Sequence, residues 1–112
     1  PSVIDSGALA MIWTNAADIP NMQPTNQCLL LADGVTRIKC DGCGIVTTSS
    51  GIRFPVLYIK NWPRNYISVR VLNQLGYAVL FGRDVKIVRL RDGKQMHASP
   101  SGTGLYEIDL FA

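Results

Sequence analysis

Val3-Ile4-Asp5-Ser6-Gly7-Ala8 decides how the rest of this 112-residue chain is read. Two β-branched residues run straight into a short polar turn, which sets an acidic side chain at the mouth of a strand. Such a turn needs no function by itself, since Asp readily hydrogen-bonds its own turn backbone. A later stretch gives it context: Pro63-Arg64-Asn65-Tyr66-Ile67-Ser68 leads into an apolar stripe at helical spacing, Val69, Leu72 and Leu75, that stops at Gly76. The Ser68 hydroxyl can accept from an orphan N–H of that run, so a helix is expected over about residues 69–75 with Gly76 as its left-handed stop.

Composition sets the bounds. At this length the chain is one domain, residues 1–112, near the size at which a partner subunit often helps. Six Pro and ten Gly scattered among Val, Ile, Leu and Thr, with no long run of helix formers, point to an all-β fold. A hydrophobic fraction of 47% excludes a disordered chain. No apolar stretch approaches the ~20 residues that span a bilayer, and no basic-plus-apolar leader opens the chain, so no membrane partner is expected. Pro1 in place of an initiator Met reads as a piece cut from a longer chain.

The net charge is +3 and the pI about 9.0, a mild excess. Its basic cluster, Arg83, Lys86, Arg89, Arg91 and Lys94, alternates along strand-like sequence and is expected on a solvated face. Interleaved surface aromatics, which stacking on nucleic acid requires, are missing from it, and that argues against a nucleic-acid partner. Three cysteines, an odd number, suit a reducing, intracellular compartment better than a secreted disulfide framework. Cys40-Asp41-Gly42-Cys43 has C-x-x-C spacing, with Cys28 and His97 as conceivable further ligands, yet the remaining spacing fits no zinc motif. Turn chemistry at Asp41-Gly42 explains the segment, so neither a metal nor a cofactor is expected.

Between the two anchoring stretches the pattern is one of hairpins. Met11-Ile12-Trp13 reads as a strand end with Trp13 in the core, followed by a loop from Thr14 to Gln27. Cys28–Leu31 and Val35–Lys39 flank Ala32-Asp33-Gly34, and Asp-Gly between β-prone runs is a strong hairpin signal. Gly44–Thr48 and Ile52–Ile59 flank Ser49-Ser50-Gly51 in a second hairpin, whose Pro55 belongs at an edge or a bulge. Beyond Gly76, Tyr77–Phe81, Val85–Leu90 and Gln95–Ala98 are strand-like, with a turn at Arg91–Lys94. Ser99–Gly104 is linker-like, and Leu105–Phe111 alternates as a last strand that could pair within the chain or across a dimer, with the dimer favoured.

Taken together these motifs resemble the retropepsins, the single-domain aspartic proteases of retroviruses and LTR retrotransposons, and most closely the protease of copia-type elements. The likeness rests on Asp5-Ser6-Gly7-Ala8, Val56-Leu57-Tyr58-Ile59, Asn65-Tyr66-Ile67-Ser68-Val69, Leu72, Gly76 and Gly104-Leu105-Tyr106, in that order and nearly end to end. It implies a retropepsin-like closed barrel, all-β, with one short helix in the C-terminal half. Viral members carry a strand and hairpin before the Asp, where this chain has only Pro1–Ile4, and they end soon after the helix, where this chain continues to Ala112. A C-terminal hairpin, Val85–Ala98, standing in for the N-terminal one as in a circular permutation, would reconcile the two departures.

For the site, the resemblance implies an aspartic endopeptidase in which Asp5, Ser6 and Gly7 are catalytic. One Asp-Ser-Gly per chain requires a homodimer with Asp5 from each subunit at the twofold axis. Ser6 would bond across that axis, Gly7 would admit the peptide, and Ala8 would pack beneath the site. Substrate would also meet a flap at Ala32, Asp33 and Gly34, or alternatively at Asp41-Gly42-Cys43-Gly44, and pocket walls from Arg64 and Tyr66. Leu9 and Val69 stand where viral relatives carry a substrate-gripping Asp and an inter-subunit Arg. The implied substrate is an extended polypeptide, the element's own Gag-Pol polyprotein. Two other readings remain: a domesticated or inactive binding module of the same fold, and a basic nucleic-acid-binding barrel.

Overall fold

The computed structural model describes residues 2–5, 7–31, 33–100 and 106–110, with Ser99 and Pro100 described for their backbone alone. Its elements are β1 (Ser2–Asp5), β2 (Ile12–Trp13), β3 (Cys28–Leu30), β4 (Arg37–Lys39), β5 (Gly42–Thr47), β6 (Arg53–Tyr58), β7 (Asn65–Ser68), α1 (Val69–Gln74), β8 (Tyr77–Phe81), β9 (Val85–Arg89), β10 (Gln95–Pro100) and β11 (Tyr106–Ile108). The fold is mostly β-sheet with one short helix, and a radius of gyration of 13.9 Å makes it compact.

Nine strands form one sheet in the order β5-β6-β2-β7-β1-β11-β10-β9-β8, while β3 and β4 make a separate two-stranded ribbon. β1 lies mid-sheet, parallel to β7 and antiparallel to β11. Successive residues of a strand point to opposite faces, and Ser2, Val3 and Ile4 are all buried, so β1 is covered on both faces. The sheet order has two ends, β5 and β8, so among the described residues no ladder closes the expected barrel. At one corner the Ser49 N–H reaches the Leu110 carbonyl at 3.1 Å, and Ile52 and Ile87 belong to one core.

Trp13, fully buried, anchors that core against Phe54, with ring centroids 5.5 Å apart and tilted by 60°. Its indole N–H donates to Asp18 Oδ2 at 2.9 Å, inside a short 3-10 turn over Ala16–Asp18 that the sequence pattern had read as plain loop. On the sheet's other face Ile12, Cys40 and Ile59 form a smaller cluster with Leu29, Ile38, Trp62 and Tyr66 against it.

Three expectations need correction. Pro55 does not mark an edge strand: β6 lies between β5 and β2, but β2 reaches only Leu57 and Tyr58, so Pro55 has an open side where no N–H is wanted. Gly42 to Gly44 is strand rather than a hairpin tip, because the Ile19–Gln23 loop crosses β5 so closely that a Cβ on Gly44 would strike Ile19. The last strand, described over Tyr106–Ile108, pairs within the chain, between β1 and β10, and not across a dimer. The C-terminal hairpin β9–β10 is joined to the Asp5 strand through β11 and does not touch it directly in the sheet order. Residues 101–105, including the linker and the Gly104-Leu105 part of the late motif, and Phe111 lie outside the described residues.

The helix follows its sequence signals. Ser68 has φ −80° and ψ 121°, an extended N-cap whose hydroxyl accepts from Val71 N–H at 3.2 Å. At the other end Gly76 takes φ +91°, a conformation that a side chain disfavours. The Ser68 hydroxyl also donates to the Ala8 carbonyl at 2.7 Å, and Ser68 is 0% exposed. Ser68→Ala removes both bonds and leaves the half-buried Ala8 carbonyl without this donor, so it is expected to lower the unfolding free energy by about 1–3 kcal/mol. Urea unfolding monitored by Trp13 fluorescence measures it, and an unchanged midpoint would show that this hydroxyl holds nothing.

Candidate functional site

Asp5 ends β1 beside Ser68, its register partner across the parallel ladder. The chain then folds back at once, with the Ala8 N–H on the Asp5 carbonyl at 3.3 Å. Gly7 N–H donates to Asp5 Oδ1 at 2.8 Å, the side-chain-to-turn bond that an Asp at this place makes by itself. Among the described residues that is the only hydrogen bond to the carboxylate, so Oδ2 has no partner there. Asp5 is half-buried and Gly7 exposed, and the loop is fixed to the helix N-terminus by the Ser68 hydroxyl on Ala8. Asp5, Gly7 and Ala8 are thus brought together with Ser68. Ser6 lies outside the described residues.

The β3–β4 ribbon carries the residues expected to form a flap. Its turn runs from Leu31 to Thr36, with Leu31 N–H on the Thr36 carbonyl at 2.9 Å and Gly34 N–H on the Leu31 carbonyl at 3.0 Å. Asp33 sits inside it as a staple, accepting from Val35 N–H at 2.9 Å, from Thr36 N–H at 2.8 Å and from the Thr36 hydroxyl. Ala32 lies outside the described residues. Below the turn, Leu29 pairs with Ile38, and the pair packs against the cluster that holds Ile12, Trp62 and Tyr66. The ribbon is therefore seated on the face where β2 and β7 meet.

The two expected pocket walls are not gathered around Asp5 in this subunit. Because β1 and β7 are parallel, the start of β7 lies at the far end of β1 from Asp5. Arg64, just before that start, forms an ion pair with Glu107 at 2.7 Å. Tyr66 pairs in register with Val3, and its ring meets Trp62 edge-on at 6.2 Å beneath the ribbon. Leu9 is exposed, whereas Val69 packs against the core.

Sequence reading missed a groove of about 580 Å³ that opens just past the Asp5 turn, lined by Leu9, Ala10, Met11, Ile45, Leu57 and Val71, with Asn21, Gln23, Gln27 and Arg53 also on its wall. Its walls come from five separate segments, so no local motif announces it. Trp62 was also passed over as loop, though its Nε1 is buried without a hydrogen-bond partner among the described residues.

Most other carboxylates are committed elsewhere. Asp18 serves Trp13, Asp41 accepts from Lys60 N–H at 2.9 Å, Asp92 pairs with Arg89 at 2.6 Å, and Glu107 pairs with Arg64. The three thiols are free; Cys28 is exposed, and burial first of all pushes the Cys40 thiol up. Among the described residues no group of three or more His, Cys, Asp or Glu is placed to hold a metal ion. No protein-family model matches this chain, and no curated protein matches it.

Hydrogen bonds favour the charged form of Asp33, the Thr36 hydroxyl most and the Thr36 and Val35 N–H groups next, and they hold its carboxyl below the usual range. A depressed folded-state value means the staple is complete above the ordinary carboxylate range, about pH 4, and is lost as pH falls through the lowered value. Exchange of the Val35 and Thr36 amides is therefore expected to quicken, relative to intrinsic rates, on acidification below about pH 4, while Asp33→Asn shows no such step. Equal pH profiles for the two proteins would show that Asp33 does not hold the turn.

Proposed function

We propose that the chain is a retropepsin-like aspartic endopeptidase of the kind found in copia-type retrotransposons, active as a homodimer on an extended polypeptide such as its own Gag-Pol polyprotein. The observation that carries this reading is the Asp5 turn: a half-buried carboxylate at the end of a central strand, one oxygen held by Gly7 N–H, the loop tied to a helix N-terminus by Ser68. Such a fixed carboxylate, whose second oxygen has no partner among the described residues, is half of a water-activating pair. Two copies related by a twofold axis supply the other half.

Brought close, the two carboxylates share one proton, because like charges at that separation do not both ionise. The ionised member takes a proton from water, whose oxygen attacks the scissile carbonyl carbon. The protonated member donates to the carbonyl oxygen, and collapse of the tetrahedral intermediate expels the amine as it takes up a proton. The β3–β4 ribbon serves as the flap, with its turn at Asp33-Gly34, and substrate lies beneath it as an added strand. On this reading it is β11, beside β1, and not the β9–β10 hairpin, that takes the place of the missing N-terminal strand.

A second reading, a binding module of the same fold without catalysis, is favoured by the bond from Gly7, which an ordinary turn makes too. The two part on one variant. Asp5→Asn is expected to abolish cleavage of an apolar peptide at mildly acidic pH while leaving the thermal midpoint within a few degrees of wild type. Wild-type specific activity is expected to rise with protein concentration as dimers form, and a statine inhibitor is expected to block it. Cleavage that survives in Asp5→Asn would refute the mechanism. A folded wild-type protein that cleaves nothing at any concentration would leave the binding module.

A further inference from the structure

The two ends of the nine-stranded sheet are treated differently. At one end β5 is covered: Gln23 and Cys43 exchange backbone hydrogen bonds, 2.8 Å from Gln23 N–H and 2.9 Å from Cys43 N–H, so the preceding loop occupies part of that edge. At the other end β8 pairs with β9 alone among the described residues. β8 reads Tyr77-Ala78-Val79-Leu80-Phe81, with no charge, no Pro and no Gly, the devices that usually blunt an edge. Leu80 and Phe81 are 55% and 53% exposed.

The hydrogen-bond phase of this edge follows from two bonds. Leu90 N–H donates to the Gly76 carbonyl at 3.0 Å, and Arg89 N–H turns the other way, to the Lys94 carbonyl at 2.8 Å. Antiparallel pairs alternate, so with Ala78 opposite Val88 and Leu80 opposite Lys86 bonding inward, Tyr77 and Val79 aim their N–H and C=O groups at the open side. The stretch Tyr77–Ala98 that carries this edge holds five basic residues against two acidic ones, a net +3 equal to that of the whole chain. Of the two acids, Asp92 is neutralised by Arg89 and Asp84 is exposed next to Arg83, while Arg83 and Arg91 are exposed beyond the strand's two ends.

We infer that the free edge of β8 is a docking site for an extended acidic peptide segment, which adds as a tenth strand through the Tyr77 and Val79 backbone and sets its carboxylates near Arg83 and Arg91. Backbone pairing selects an extended polypeptide over a nucleic acid, which offers no matching ladder. The cation excess selects an acidic partner over a second copy of this chain, whose own β8 edge carries the same sign of charge. The site lies at the opposite end of the nine-strand order from β5 and does not depend on Asp5.

A fluorescein-labelled peptide of alternating valine and glutamate tests this by anisotropy with the intact chain. Saturable binding is expected, with affinity falling as salt rises. N-methylation of the peptide's valines, which leaves the protein untouched, is expected to weaken binding at least tenfold, and so is Val79→Pro, whose lost N–H has no role in the β8–β9 ladder. Arg83→Ala with Arg91→Ala is expected to weaken binding and flatten its salt dependence. No saturable binding, or equal binding of the N-methylated peptide, would overturn the proposal, as would equal binding of a valine-lysine peptide. So would self-association that Val79→Pro abolishes, which assigns the edge to a second copy, or a DNA oligonucleotide that binds equally well with and without Val79→Pro and displaces the peptide.

Discussion

The parallel pairing of β1 with β7 is the constraint on which everything else hangs. Parallel neighbours cannot be joined by a tight turn, so the chain must travel through two hairpins and a long loop before β7 can return beside Asp5. That detour builds one half of the sheet, and the continuation past α1 builds the other, returning as β11 on the free side of β1. Loop-closure entropy opposes such non-local contacts, and burial must offset it. The strand accordingly buries both faces, and Ser68 then adds a local lock: one hydroxyl caps α1 and holds the Ala8 carbonyl. A carboxylate placed at that junction inherits its rigidity from both halves of the fold.

What was legible in the sequence follows from the range of the interactions involved. The cap at Ser68, the stop at Gly76 and the turns at Asp33-Gly34 and Asp92-Gly93 are encoded within a few residues of where they act, and each stands as the pattern predicts. Gly42 and Gly44 misled for the opposite reason. They look like turn residues, yet they are strand because Ile19 and Met22, distant in sequence, press against them. The ion pair of Arg64 with Glu107 and the seating of β11 are likewise set by register between segments that no local pattern relates. Most of the strands could therefore be read beforehand, and the sheet order could not.

Much the same division runs through the site. Asp5 and its turn are a local motif, so their geometry follows from sequence: the Gly7 N–H bond is what Asp-x-Gly favours. The surroundings are assembled from afar. The groove beside Leu9 draws on the Gln23 loop, β5, β6 and α1, and Tyr66 faces the ribbon rather than Asp5 because its place in β7 puts it on the face opposite Ile67. Side chains next to each other in a motif can therefore serve different faces of the sheet, which is why likeness of sequence carries Asp5 across more securely than it carries Arg64 or Tyr66.

The ribbon shows how the fold leaves one part able to move. A two-stranded antiparallel pair is marginal in water by itself, and β3–β4 shares no ladder with the main sheet. What holds it is one pair, Leu29 and Ile38, set on Ile12, Ile59, Trp62 and Tyr66, together with the Cys40 N–H on the Gln27 carbonyl at 3.3 Å at its base. The turn is stiffened separately by Asp33, whose bonds all lie within the ribbon and so do not tie it to the body. A stiff tip on a lightly seated base is the arrangement that would let a ribbon shift as a unit over the cluster beneath. The buried Trp62 indole N–H lies in that same cluster without an acceptor, an unsatisfied donor at the surface over which the ribbon would slide. Lifting the ribbon exposes only a small apolar area, so the free energy of opening is set by Leu29 and Ile38 and not by the core around Trp13.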